Sequence, residues 1–115
     1  MNVELAEQLV EHPQWEWKEG MRASDGVRVV DLELWTANDL LPDLDDYATA
    51  GTLLGVLATM GVLSDVVIQE EDWIVAVDLP ESGLQGWAAS TLGEAAGWAL
   101  IAAWGASPAR MDMPS

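Results

Sequence analysis

The stretch Val66-Val67-Ile68-Gln69-Glu70-Glu71-Asp72-Trp73-Ile74-Val75-Ala76-Val77-Asp78-Leu79 reads as two strands joined at a polar corner. Val66 to Ile68 is β-branched, and Gln69 to Asp72 supplies the turn. In the second run Trp73, Val75 and Val77 face one way, and Ile74, Ala76 and Asp78 face the other. That period of two belongs to a strand. The hairpin sets an antiparallel sheet at the centre of the fold.

Upstream, Tyr47 to Gly61 reads as a helix with an apolar stripe of Ala50, Leu53, Leu54, Leu57 and Met60. Asp45 or Asp46 caps its start, where a carboxylate meets the positive end of the helix dipole, and Gly61 sits where a terminating glycine belongs. Downstream, Pro80 to Gly86 reads as a loop. Thr91-Leu92-Gly93-Glu94 then fits a capping box and opens a last helix to about Trp104, with Gly105 as its stop. Nearer the start, Val3 to Glu11 has helical spacing behind Asn2. Val27 to Trp35 alternates, with Val30, Leu32 and Leu34 on one face and Val29, Asp31, Glu33 and Trp35 on the other. With Met21–Ala23 across the turn Ser24-Asp25-Gly26 it forms an expected first hairpin. The expectation is an α+β domain in the order α-β-β-α-β-β-α, with an antiparallel four-stranded sheet and two or three packed helices. It occupies 1–106 as a single compact unit, and 107–115, with Pro108 and Pro114, reads as a frayed tail.

The chain has 115 residues, enough for one core, and half of them are hydrophobic. Twenty acidic residues against four basic ones give a net charge of −16. Such a surface lacks the basic footprint needed to bind nucleic acid directly, and it is repelled by anionic membranes. With no cysteine and one histidine, His12, disulfides, thiol catalysis, His-based triads and multi-histidine metal sites all drop out. Asp39, Asp43, Asp45 and Asp46 lack calcium-loop spacing, since counting from Asp39 puts Leu44 sixth and Ala50 twelfth. No metal, cofactor or catalytic residue is assigned, and the expectation is a non-enzymatic binding protein. The stretch from Met1 to Val10 has no basic residue, and Gly86 to Ala106 reads as a packed helix rather than a membrane span. The expected location is the cytoplasm.

Charge is segregated along the chain. Tyr47 to Gly61 carries no ionisable side chain but the tyrosine, and Gly93 to Trp104 carries only Glu94. Helices without a charged face are buried on most sides or pair with something. Packing within the chain is the simpler reading, and a homodimer through these uncharged helices is the alternative. Gly51/Gly55 and Gly93/Gly97 would permit close approach. The carboxylates gather elsewhere: Asp31 and Glu33, expected roughly 6.8 Å apart on one strand face, then Asp39, Asp43, Asp45 and Asp46, then Glu70, Glu71 and Asp72. Such an array can oppose a basic protein surface and speed its association. The competing reading is that these charges only keep the domain soluble, but −16 exceeds the magnitude of about 2 to 8 that suffices for that.

Seven tryptophans stand beside one tyrosine and no phenylalanine. Trp73, Trp98 and Trp104 lie in regular elements and read as core. Trp15 and Trp17 lie close to Lys18, Arg22 and Arg28. Aromatic plates beside cations can hold a nucleotide, so Trp15, Trp17, Arg22 and Arg28 form a candidate ligand site. The plainer reading is that the indoles close the core and the cations pair with neighbouring acids.

The string Leu5-Ala6-Glu7-Gln8-Leu9-Val10, then Trp15-Glu16-Trp17 with Gly20-Met21, then Asp43 to Leu54, then a hairpin and an Ala-rich helix after Thr91, resembles small phage and prophage proteins related to the phage α-β-α sandwich domain. The resemblance spans roughly Leu5 to Ala103. It departs in the closing helix, where Gly97, Trp98 and Trp104 replace the expected Glu and Leu. It carries over no catalytic residue and implies a context in which small acidic proteins inhibit bacterial defence. The expected function is an anti-CRISPR-like inhibitor that mimics nucleic acid and binds a basic host effector through Asp31, Glu33, Asp39, Asp43, Asp45, Asp46, Glu70, Glu71 and Asp72. The alternatives are a sponge for a nucleotide signal and a minor virion or assembly protein.

Overall fold

The computed structural model describes residues 2–35, 40–80 and 82–106. Helix α1 spans Val3–Glu11, α2 Tyr47–Thr59 and α3 Leu92–Ala106, while β1 is Leu63–Gln69, β2 Asp72–Leu79 and β3 Gly83–Ala89. The strands form an antiparallel sheet in the order β1-β2-β3. The architecture is α+β, with a three-stranded sheet among the described residues in place of the expected four strands.

The caps explain the helix starts. Asn2 accepts the Leu5 N–H at 3.1 Å, Asp46 accepts the Thr49 N–H at 2.9 Å, and Thr91 Oγ1 accepts the Glu94 N–H at 3.2 Å. Gly61, with φ +79°, ends α2 in the left-handed conformation that a glycine reaches without strain. Helix α3 lies on β2 and β3, with α2 beside it over β1 and α1 across it. Crowding from these neighbours explains its uncharged sequence, since Ala95, Ala96, Ala99, Leu100, Ala103 and Trp104 are all buried. From β2, Val75 and Val77 point into this core, while Leu5 and Leu9 of α1 close over Gly97.

Two sequence expectations fail here. Val27 to Trp35 is not a strand. Met21–Ala23 pairs with Val27–Val29 over a short stretch around the Arg22–Arg28 bridge, with the Ala23 N–H on the Val27 carbonyl at 2.8 Å and the Val29 N–H on that of Met21 at 2.7 Å. The chain then turns, with Asp31 Oδ1 accepting the Glu33 N–H and Asp31 O accepting that of Leu34. A two-stranded ribbon on its own is marginal, and an aspartate offers the backbone a competing local bond. The phase is also reversed: Val29 is 1% exposed and Val30 82%. The second failure is β3, which occupies part of the loop expected over Pro80 to Gly86. Leu84-Gln85-Gly86-Trp87-Ala88-Ala89 has no β-branched residue, and it extends because β2 offers a complete partner from Leu79↔Gly83 to Trp73↔Ala89. The expected tail over 107–115 lies outside the described residues. No helix among the described residues is long and apolar enough to cross a membrane.

Candidate functional site

The β1–β2 corner and the start of α2 come together at one end of the molecule. The Tyr47 ring lies 6.3 Å from that of Trp73, and a small cavity of about 80 Å³ separates the 44–47 turn from Trp73 and Ser90. Tyr47, which follows the acidic stretch 43–46, thus lies beside Trp73, which follows the acidic stretch 70–72. Glu70, Glu71 and Asp72 are exposed on the corner.

Asp43 and Asp46 behave differently from the corner. Both oxygens of Asp46 accept from the Arg28 guanidinium, at 2.9 and 3.0 Å, and Arg28 also donates to the Gly20 carbonyl at 2.8 Å. The Thr49 hydroxyl donates to Asp46 at 3.0 Å while accepting the Arg22 N–H at 2.8 Å. Arg28, helped by the Thr49 N–H and hydroxyl, holds the Asp46 carboxyl well below the usual carboxylate range. The same hydrogen bond raises the Arg28 guanidinium. Arg22 Nε lies 3.7 Å from Asp43 Oδ2, an ion pair without a hydrogen bond. Much of the negative charge of these two acids is therefore offset within the chain.

Asp31 and Glu33 share an exposed turn rather than a strand face, so their expected spacing on a pleat does not apply. Asp39 lies outside the described residues. Asp45 is exposed beside Asp46. The proposed nucleotide set is not assembled: Arg22 and Arg28 face Asp43 and Asp46, while Trp17 packs on Trp15 at 5.5 Å and on Trp35 at 5.2 Å. Trp15 instead borders a half-open groove of about 490 Å³ together with Lys18, Met60 and Trp104. Among the described residues no cluster of three or more His, Asp or Glu side chains comes together to hold a metal.

The alternation of Ile74, Ala76 and Asp78, legible in the sequence, sets these residues opposite the buried Val75 and Val77. The three form the outer side of β2, which no helix among the described residues covers. Gly51 and Gly55 of α2 also stay open, with nothing within 4 Å of an added Cβ. No protein-family model, curated protein or solved structure matches the chain.

Proposed function

We propose that this chain is a non-enzymatic binding protein whose acidic surface docks into the basic, nucleic-acid-binding site of a partner protein. The best setting for it is phage counter-defence in a bacterial cytoplasm, which the resemblance to small phage proteins suggests. One observation carries the reading: at −16, with Arg22 and Arg28 both held by Asp43 and Asp46, the molecule presents an exposed acidic corner at Glu70, Glu71 and Asp72. A basic cleft is its natural electrostatic complement. Pairing of the same two arginines removes phosphate ligands from the nucleotide-sponge reading, so mimicry is favoured over it.

The test uses immobilised protein and a bacterial lysate at about 50 and about 500 mM salt, where the screening length differs severalfold. The expected result is capture of a nucleic-acid-binding protein at low salt, released by high salt or by competing duplex DNA. Glu70→Gln/Glu71→Gln/Asp72→Asn should lose the capture. A partner indifferent to both salt and DNA would sink the reading.

A further inference from the structure

We propose that the outer face of the sheet receives a basic amphipathic helix of the partner, a surface that no charge count reveals. The proposal rests on the basic-partner reading above and gives that partner a shape.

The register lays the face out in rows. Val67 pairs with Ile74, which pairs with Ala88, forming an apolar row across all three strands. The next row is Asp65, Ala76 and Gly86, and the row beyond is Asp78 and Leu84. Opposite the helices, Val67 is 42% exposed and Leu84 67%, and Ala88 is also exposed. Ala76 and Gly86 carry little side chain and Ile74 reaches toward Gly86, so the face is a nearly flat bed centred on Ile74 and Ala76 of β2, flanked by Val67 on β1 and by Leu84 and Ala88 on β3. Both of its ends are acidic. Asp72 closes the end next to the Glu70-Glu71 corner, Asp78 stands at the other, and Asp65 lies one row short of Asp78 on β1, all exposed.

Dimensions select the occupant. Six residue steps from Asp72 to Asp78 span about 20 Å, the length of a helix of about fourteen residues. Three strands about 4.8 Å apart give a bed as wide as one helix, about 10 Å across. A helix with an apolar stripe and lysine or arginine near both ends would bury Val67, Ile74 and Leu84 and meet carboxylates at each end. A second copy of this chain fits the apolar area but not the charge. Packing sheet on sheet would bring two sets of Asp65, Asp72 and Asp78 together with no cation among them.

The probe is a synthetic helix of about fourteen residues with leucines along one face and lysines at both ends. One control replaces the lysines with glutamates, and a second scrambles the leucines. The lysine peptide should bind the full chain, and the glutamate and scrambled peptides should bind at least about tenfold more weakly. Val67→Thr/Leu84→Ser keeps every charge, and its thermal unfolding reports whether the fold persists. In the folded double variant, affinity for the lysine peptide should fall about tenfold or more. Three results overturn the proposal. Salt-sensitive binding that ignores the double variant leaves the acidic reading standing and removes this face. Absence of binding by the lysine peptide removes this face, and the lysate capture then judges the acidic reading separately. A wild-type dimer in sedimentation that the double variant converts to monomer assigns the face to a second copy.

Discussion

Arg28 and Asp46 clasp each other through two parallel hydrogen bonds, and Asp46 is at the same time the N-cap of α2. From sequence these residues belonged to opposite hypotheses, one an acid offered to a partner and the other a cation offered to a phosphate. Their pairing makes both structural. The clasp ties the irregular segment around Gly20 to the first turn of a helix through the Thr49 hydroxyl, which is fully buried. A fork-to-fork pair of this kind is directional as well as electrostatic.

Acid should expose the clasp. Folded Asp46 binds a proton less tightly than the unfolded chain does, so its contribution is present near neutrality. It is lost as pH falls below the unfolded carboxyl value of about 3.9. Asp46→Ala should cost about 1 to 2 kcal/mol at pH 7 through loss of the cap. Asp46→Asn, which preserves a cap, should cost less. Urea unfolding from pH 7 down to about pH 2 should show the wild-type and Asn curves drawing together below about pH 4. Parallel curves would mean that the carboxylate charge at Asp46 contributes nothing to stability.

The glycines of α2 and α3 have identical spacing in sequence and opposite roles in the structure. A methyl on Gly93 would overlap the Leu44 carbonyl oxygen, which is backbone and cannot swing aside. Gly93→Ala should therefore cost about 3 kcal/mol, at the upper end for overpacking. At Gly51 and Gly55 nothing lies within 4 Å, and alanine there should stabilise the helix by about 0.5 to 1 kcal/mol each. Thermal unfolding of the three single variants checks the split. A tightly self-associating α2 face would instead make Gly51→Ala and Gly55→Ala destabilising.

Elements with a local chemical cause could be read from the residues: Asn2, Asp46 and Thr91 mark helix starts, and Gln69 to Asp72 mark the corner where the β1–β2 hairpin turns. Elements decided by distant partners could not. Strand β3 exists because β2 supplies hydrogen bonds that its own Gly-rich sequence does not advertise. Val27 to Trp35 has strand alternation but no second strand long enough to use it. The candidate site divides the same way. Exposure of Glu70 to Asp72 follows from a hairpin turn, whereas capture of Asp43 and Asp46 by Arg22 and Arg28 depends on the chain folding back across some twenty residues, which spacing alone does not reveal.

Phase at Val29 and Val30 gives a sharp check on that segment. Val29 is buried with its N–H on the Met21 carbonyl at 2.7 Å, while Val30 faces solvent. Val29→Ala should cost about 2 kcal/mol, and Val30→Ala should stay within about 0.5 kcal/mol. The reverse order in denaturant unfolding would restore the strand with Val30, Leu32 and Leu34 inward.

Glu70 is the single non-glycine residue with positive φ among the described residues, at 60°, in the two-residue turn closed by Gln69↔Asp72. The left-handed region costs an L-residue about 1 to 2 kcal/mol, part of which glycine gives back through its freer unfolded chain. Glu70→Gly should thus stabilise the protein by about 0.5 to 1 kcal/mol, seen as a higher denaturant midpoint. Strain kept at an exposed position is expected where the side chain has a task elsewhere. Under the acidic-docking reading that task is the negative charge, so the same substitution should weaken salt-sensitive capture of the basic partner even as the fold gains stability. Glu70→Gln separates the two effects, since it keeps the strain and removes the charge: binding should fall as with glycine while the midpoint stays near wild type. If Glu70→Gln binds as well as wild type, this carboxylate is not among those the partner reads.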